Sequence, residues 1–396
     1  MVAGATTVPE GAWPRNPGID ALRGLSILLV VVHHLALRIP PKQTALAGVV
    51  PERLLGALGY NGYEAVFVFF VVSGFLIAGH SLRRWGSLAA IDLRAFYRRR
   101  AARILPCLLL LLAVLSLLHL AGVPNYVIDK PGQSLGGALL SALGLYLNWY
   151  EGRTGWLPGG WDVLWSLSIE EAFYLGFPLA CLLLRDMRAL VVALVALALS
   201  LPITRMALDG NEIWQEKAYL PGMAAIATGV IAALLANRVS IPRPLARLLA
   251  WTGAAGLALV FVFGDLLWNA VGNGYMLVLT FSAALLVLGL HANSREGARG
   301  MRGLGWLRSL GRASYEVYLG HMFVVFAAVG LFRRFGGDVH SGAWWFPPVV
   351  LACWALGAAW ARWYSLPCER ALRGQGNSTT SPSADTPRSS NASTDT

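Results

Sequence analysis

Long apolar stretches constrain this chain more than any other feature of its sequence. A helix needs about 20 mostly apolar residues to cross the hydrocarbon core of a bilayer, and the chain contains roughly ten such stretches. They lie near residues 20–38, 61–80, 103–122, 165–184, 189–208, 218–236, 248–267, 272–292, 312–332 and 345–365. A further segment, 135–149, is apolar but glycine-rich, and it is either a re-entrant or interfacial piece or an eleventh span. The sequence therefore predicts an all-α, polytopic transmembrane helix bundle of about ten spans.

The composition excludes an ordinary soluble domain. Hydrophobic residues make up 56% of the chain and charged residues 13%, whereas soluble domains are about 25% charged. The mean hydropathy of +0.56 agrees with a protein whose main partner is a lipid bilayer. The net charge is +11, but the basic runs are short and separated by apolar spans, so no nucleic-acid surface is predicted.

Arginine residues are concentrated in four of the loops between the predicted spans, at 83–103, 185–188, 238–247 and 295–312. Ten spans place all four loops on one side of the membrane, and the positive-inside rule makes that side cytoplasmic. We therefore expect a multi-pass protein of the bacterial cytoplasmic membrane with both termini in the cytoplasm. Arg333 and Arg334 do not fit this pattern, because they fall on the outer side.

The last residues differ from the rest of the chain. From residue 374 to 396 there is no Leu, Ile, Val or aromatic residue, so this stretch cannot bury enough apolar area to fold. We predict one transmembrane domain over 1–372 and a disordered cytoplasmic tail over 373–396. None of the four cysteines has a partner at metal-ligand spacing, which predicts buried thiols and no metal site.

Ionisable residues inside the first span are candidates for function, because charge within a membrane is costly. They include Asp20, Arg23, His33 and His34. Arg23 and His34 are eleven residues apart, which is three helical turns plus about 20°, so both share one face about 16 Å apart. His33 points about 100° away from His34. The alternative for both histidines is a structural role with the ring bonded to a backbone carbonyl.

The fourth span begins with two adjacent carboxylates, Glu170 and Glu171, and Tyr174 follows Glu170 on the same helix face. The predicted topology places Glu170 and His34 in the outer half of the membrane, where they can meet at similar depth. A carboxylate beside an imidazole fixes its tautomer and raises its basicity, as a general base requires. The alternative is that both glutamates merely favour a helix N-terminus.

Two further groups of residues have less specific patterns. In the ninth span Tyr315, Tyr318 and His321 recur every three residues and fall on one stripe, where packing with satisfied hydroxyl groups is an equal alternative. At the start of the third span Arg100 and Arg103 suit phosphate recognition, since guanidinium groups match phosphate geometry. Topology signalling and contact with lipid head groups are the alternatives for these arginines.

Five segments in the same order resemble the membrane acyltransferase-3 family. They are 19–25 (IDALRGL) with His34 completing an arginine–ten residues–histidine spacing, 69–77 (FFVVSGFLI), 99–106 (RRAARILP), 165–171 (WSLSIEE) and 314–321 (SYEVYLGH). Each segment alone is a weak signal, but the shared order makes the resemblance specific, and it extends over most of the chain. Ala65 stands where relatives often have glycine, which implies a minor change in helix packing.

The resemblance implies O-acylation, usually O-acetylation, of an exported carbohydrate or glycolipid such as lipopolysaccharide, exopolysaccharide or peptidoglycan. The implied donor is cytoplasmic acyl-coenzyme A, with no bound cofactor. Arg23 and His34 would be the essential pair, and Arg100 and Arg103 would bind the donor. Many relatives carry a C-terminal hydrolase-like domain that this chain lacks, which implies direct transfer or a partner protein.

Together these readings give one candidate site. The candidate catalytic residues are His34, Arg23 and Glu170, the donor-binding residues are Arg100 and Arg103, and the other candidates are Asp20, Ser73, Glu171, Tyr318 and His321. We expect His34 to act as the general base, with Glu170 or a neighbour orienting it. The rival functions are a proton-coupled secondary transporter or flippase, which also uses intramembrane His, Glu and Arg, and a membrane sensor or scaffold. No matching pair of interrupted helices supports a transporter.

Overall fold

A computed structural model of the chain describes residues 15–294 and 303–373. Within these ranges the chain forms seventeen α-helices and no β-strand. The helices are α1 (Pro17–Ala36), α2 (Glu52–Tyr60), α3 (Gly62–Trp85), α4 (Leu93–Leu120), α5 (Leu135–Leu143), α6 (Leu147–Thr154), α7 (Leu164–Leu183), α8 (Met187–Leu199), α9 (Leu201–Met206), α10 (Glu212–Lys217), α11 (Tyr219–Arg238), α12 (Arg243–Val271), α13 (Tyr275–Ser294), α14 (Gly305–Arg312), α15 (Ser314–Arg334), α16 (Phe346–Trp360) and α17 (Leu366–Leu372). The predicted disordered tail, apart from Arg373, lies outside the described residues.

The predicted bundle of membrane spans is confirmed. Eight segments of the described chain are long and apolar enough to cross a membrane. One of them contains two helices, α12 and α13, joined by a short turn over Gly272–Gly274. The span predicted near 189–208 is the shorter apolar helix α8 of 13 residues, followed directly by α9. Each of the ten predicted stretches therefore corresponds to a helix.

The glycine-rich segment 135–149 is not an eleventh span. It forms α5, of nine residues, and the beginning of α6, of eight residues. At 1.5 Å per residue neither is longer than about 14 Å, which is less than half the thickness of the hydrocarbon core. Both helices lie in the connection between α4 and α7, so the interfacial or re-entrant reading is the one that fits.

Helix α1 begins where its sequence provides a cap. The side-chain oxygen of Asn16 accepts hydrogen bonds from the backbone N–H groups of Gly18 at 2.9 Å and Ile19 at 3.2 Å. Pro17 follows at the first helical position, where its missing N–H costs nothing, and Asp20 places a carboxylate in the first turn. This cap fixes the depth of Arg23 and His34, which lie further along the same helix.

The helices differ in how far they are surrounded by other helices. In the most apolar window of α3, 72% of the residues are buried, compared with 67% for α1 and 39% for α4. Helices α1 and α3 therefore form the interior of the bundle, and α4 lies at its edge. An interior helix can present ionisable side chains to protein instead of lipid, which is the arrangement that makes such residues tolerable in a membrane.

Helices α3 and α11 approach each other most closely at two glycines. A Cβ atom added to Gly74 would fall on the carbonyl oxygen of Ile226, and one added to Gly229 would fall on the carbonyl oxygen of Val71. Small residues at a crossing allow backbones to come into direct contact, which is how membrane helices gain packing energy without a hydrophobic effect between them. The contact fixes the position of Ser73, the neighbour of Gly74.

We expect Gly229→Val to destabilise the bundle by about 1–3 kcal/mol or more, because the added side chain cannot fit against the α3 backbone. The measurement is the thermal unfolding midpoint of the purified protein in detergent. Gly176→Val on α7 is the matched control, since its Cβ meets open space. Equal midpoints for the two variants would contradict the close crossing.

Candidate active site

A cavity of about 650 Å³ lies between α1, α3, α4, α7, α15 and α17. Its charged lining is basic, with six arginines and three glutamates. These residues are Arg23, Arg84, Arg99, Arg100, Arg103 and Arg373, with Glu170, Glu171 and Glu369. The lining therefore carries a formal excess of three positive charges. Arg84 lies near the end of α3 and Arg99 near the beginning of α4, so the cavity is at the arginine-rich end of the bundle.

The two predicted donor-binding arginines lie in this cavity in loose ion pairs. Arg100 Nη2 is 3.6 Å from Glu171 Oε1, and its guanidinium carbon lies 3.7 Å above the ring of Tyr174. Arg103 Nη1 is 3.9 Å from Glu369 Oε2. Charge-assisted hydrogen bonds are normally 2.7–2.9 Å long, so neither guanidinium is saturated by its carboxylate. Both arginines remain able to bind an anion that enters the cavity.

Unfilled hydrogen-bond donors support the same reading. Among the described residues, the buried Nε atoms of Arg99, Arg100 and Arg373 have no hydrogen-bond partner. A guanidinium has five N–H donors in a planar fork, and phosphate oxygens match them in pairs. Arg373 also pairs with Glu369 on the turn before it, which holds the end of α17 against the cavity.

Arg23 closes the inner part of the cavity. Its Nη2 donates a hydrogen bond of 2.8 Å to Ser314 Oγ at the beginning of α15. Arg103 and Glu170 are among its electrostatic neighbours, by which we mean charged groups close enough to act on it through space. Asp20 is also an electrostatic neighbour, but it does not line the cavity, and its carboxylate pairs with Arg15 Nε at 3.2 Å. Asp20 therefore belongs to the N-terminus of α1 and is not part of the cavity.

The predicted pairing of Glu170 with His34 is wrong. Glu170 is hydrogen-bonded to Ser73, whose hydroxyl also bonds to Tyr174, and its basic neighbours are Arg100, Arg23 and Arg103. Helix α7 begins at Leu164, so Glu170 lies six residues, or about 9 Å, inside the helix. That depth carries the carboxylate past the histidines and into the arginine cavity.

His34 packs against a second histidine, and it does so on the face that the spacing predicts. Its ring centroid is 5.0 Å from that of His321 on α15. Arg23 contacts Ser314 on the same helix, so both predicted residues face α15. The two helices therefore run parallel. His33 points elsewhere, against the backbone of Gly62.

A pair of hydroxyl groups separates the cavity from the two histidines. Ser166 Oγ donates a hydrogen bond of 2.7 Å to the hydroxyl of Tyr318, and both residues line the cavity. The ring of His321 is 5.8 Å beyond that of Tyr318. Its Nδ1 is 2.7 Å from the carbonyl oxygen of Tyr318, and its Nε2 has no hydrogen-bond partner in the described part of the chain.

The structure thus divides the candidate residues into two groups. Arg23, Ser73, Arg100, Arg103, Glu170, Glu171 and Tyr318 line the cavity. His34, His321 and Asp20 do not, and the two histidines lie together in the other half of the bundle. Along α1 and α15, the cavity-lining residues come first and the two histidines follow.

Sequence reasoning missed the carboxylate that does lie beside the histidines. Asp162, in the turn before α7, is an electrostatic neighbour of both His34 and His321. It is bonded in turn to Lys217, at the end of α10. The sequence does contain one signal for this cluster. Lysine is rare, with only three in the chain, and Lys217 directly precedes a predicted span, where a carboxylate partner is expected.

The comparison with protein families agrees with this geometry. A family model described as an acyltransferase domain matches residues 16–363, which is most of the chain. The chain belongs to this acyltransferase family. The match confirms the predicted class of enzyme, and it leaves the transporter and scaffold alternatives without support.

Individual relatives are distant. The chain is 25% identical over 328 residues to O-acetyltransferase OatA of Staphylococcus aureus, a match that covers 78% of this chain and 50% of that protein. It is 25% identical over 218 residues to the peptidoglycan O-acetyltransferase OatA of Listeria monocytogenes, covering 52% of this chain and 29% of that protein. The matches therefore span half or less of these relatives. No solved structure matches the chain.

We expect Arg103→Gln to weaken the binding of coenzyme A by about 10–100-fold, because one charged hydrogen-bonding partner is lost. Isothermal titration of the detergent-purified protein measures the effect. Arg98→Gln is the matched control, since Arg98 is an exposed neighbour on the same helix that does not line the cavity. Equal weakening by both substitutions, or by neither, would contradict a phosphate site at Arg103.

Proposed function

We propose that the chain transfers an acyl group, acetyl by the names of its relatives, from acyl-coenzyme A to a hydroxyl group of a cell-surface or exported carbohydrate. The observation that carries this proposal is the order of the two groups of residues along α1. A basic cavity suited to the phosphates of a donor lies at one end, and a histidine pair suited to proton transfer lies further along.

The donor's phosphates bind at the arginines and its thioester reaches toward the histidines. Coenzyme A carries a diphosphate and a ribose phosphate, which match the cavity's formal excess of three positive charges. Arg23 and His34 are about 16 Å apart along the helix axis. The extended pantetheine arm of coenzyme A is of comparable length, so phosphates near Arg100 and Arg103 leave the thioester near Tyr318.

The chemistry is a single exchange of one bond for another. His34 removes the proton from the acceptor hydroxyl, and the oxygen forms a bond to the thioester carbonyl carbon. The carbon–sulfur bond breaks, and the departing thiolate takes the proton back from the imidazolium. General-base assistance of this kind contributes about 10²–10⁴ in rate. The Ser166–Tyr318 hydrogen bond must open to let the thioester reach His34.

The proposed orientation is that of a bacterial cytoplasmic membrane protein with the arginine cavity on the cytoplasmic side. The positive-inside rule supports it, because the cavity lies among the arginine-rich loops between α3 and α4. Arg333 lies at the opposite end, near Arg38, and it remains an exception to the rule. The histidines are then in the outer half, which favours an acceptor on the outer face. Both termini are cytoplasmic in this arrangement.

The acceptor class follows from the relatives and the orientation together. The L. monocytogenes relative is a peptidoglycan O-acetyltransferase by name, which makes a surface glycan the first acceptor to test. Lipopolysaccharide and exopolysaccharide are the other glycans that an outward-facing site can reach. A partner protein that completes the transfer is compatible with the same donor site.

We expect His34→Ala to reduce ester-linked acetate on the cell-surface glycan to the level of a deletion strain. Acetate released by mild base is compared among the native gene, the deletion and the variant at equal membrane abundance. A loss of at least about 100-fold is expected for removal of a general base. The control is His340→Ala, since His340 is exposed at the start of a short 3-10 helix, outside both groups of residues.

Retained acetate in the His34 variant would overturn the role of this histidine. Unchanged acetate in the deletion strain would instead overturn the surface-glycan acceptor, and it would redirect the search to another acyl group, a small-molecule or lipid acceptor, or transport. The two outcomes are distinguishable because they come from different strains.

A further inference from the structure

A buried ion cluster lies beside the histidine pair and outside the arginine cavity. Lys217 Nζ is 2.8 Å from Glu151 Oε2 and 2.5 Å from Asp162 Oδ1. The Lys217 and Glu151 side chains are 2% and 0% exposed, whereas that of Asp162 is 26% exposed. The three residues come from α10, α6 and the turn before α7. The cluster therefore ties together three short elements at the end of the bundle opposite the arginines.

The Glu151–Lys217 half of the cluster is fully held by its surroundings. Glu151 Oε1 accepts a hydrogen bond of 3.0 Å from the backbone N–H of Leu157. The Lys217 ammonium lies 4.3 Å from the ring centroid of Trp156, and its backbone carbonyl accepts a hydrogen bond of 2.6 Å from Asn148 Nδ2. This half holds Lys217 in place beside Asp162.

Asp162 lies in a turn that packs beside the histidine pair, since Gly159 of the same turn lies against Arg38, one helical turn after His34, and against Met322, which follows His321. It is an electrostatic neighbour of His33, His34 and His321. Burial raises the pKa of Asp162, but the Lys217 ammonium, its hydrogen bond to the carboxylate and the nearby histidines together hold this pKa below its ordinary value. The carboxylate is therefore ionised. By formal charges, the two carboxylates and one ammonium leave the cluster with an excess of one negative charge.

One positive group opposes this effect. Arg38 follows His34 by one turn, and its guanidinium is also an electrostatic neighbour of His34. Its Nη1 is bound to the carbonyl oxygen of His34 at 2.6 Å, and its guanidinium carbon lies 4.6 Å from the ring centroid of Phe326. Arg38 is thus engaged with the backbone and an aromatic ring.

We propose that Asp162 is a positioning residue for acyl transfer, held by Lys217 so that its charge stabilises the imidazolium that forms when His34 takes the acceptor proton. This proposal rests on the proposed function of His34. An imidazolium formed away from water needs a compensating charge close by, because its desolvation is otherwise costly. The carboxylate is fixed before the proton arrives, so no reorganisation is required at that moment.

The test uses membrane vesicles from the native host that contain the full chain and are supplied with radiolabelled acetyl-coenzyme A. Label in base-labile esters of the glycan fraction gives kcat and the KM for the donor at known protein abundance. We expect Asp162→Asn to lower kcat by about 100-fold and to leave the donor KM unchanged, because Asp162 does not line the donor cavity. Asp162→Glu should restore part of the lost kcat.

Two further variants separate positioning from folding. The paired change Lys217→Met with Glu151→Gln removes a buried ammonium and a buried carboxylate together, so no charge is left unpaired between them. It should lower kcat at normal abundance, because Asp162 loses its support. Asp129→Asn, at an exposed aspartate, is the control that should leave both constants unchanged.

Native kcat in Asp162→Asn would overturn the proposal, as would a loss that follows protein abundance alone or a change confined to the donor KM. His34→Ala in the same vesicles separates this failure from that of the proposed function. If His34→Ala is inactive while Asp162→Asn is native, only the role of Asp162 falls. If His34→Ala is active, the proposed function itself falls.

Discussion

The burial of guanidinium groups in one cavity of a membrane bundle is the constraint on which the other features depend. Charge within a bilayer is tolerated only where it faces protein, water or an opposite charge. Three glutamates compensate part of the charge of six arginines, and the ion pairs of Arg100 and Arg103 are long. The cavity therefore holds positive charge that an anionic ligand can neutralise. This explains why interior helices α1 and α3 carry polar residues at all.

Helices α1 and α15 run parallel, and they place the basic cavity and the histidine pair one after the other along the bundle. Arg23 meets Ser314 at one level, and His34 meets His321 at another. The two levels are eleven residues apart on α1 and seven on α15, which is about three and two helical turns. In the proposed function, a donor bound at the first level presents its reactive end to the second. Tyr318, between the levels, forms the boundary through its bond to Ser166.

Periodicity and hydropathy predicted most of the fold, because a membrane allows few alternatives to apolar helices of about 20 residues. They also predicted that Arg23 and His34 share a face. They did not predict the partner of His34, because that depends on the axial register between α1 and α7. Residues 161–174 contain both Asp162 and Glu170, about 12 Å apart along a helix, and only the packed bundle decides which one reaches the histidine. Glu170 belongs to the more conspicuous sequence motif, but Asp162 is the carboxylate that the packed bundle places near His34.

The two ionic clusters of the bundle use different cations for a physical reason. The arginine cavity uses guanidinium groups. Their planar fork offers several hydrogen-bond donors to phosphate oxygens, and it remains charged when buried. The cluster beside the histidines uses Lys217, a compact charge that two carboxylates from different elements can contact at 2.8 Å and 2.5 Å. A guanidinium there would present a wider, flatter group and would spread its charge toward the imidazoles. A compact ammonium can contact both carboxylates at once, which keeps its positive charge within the cluster.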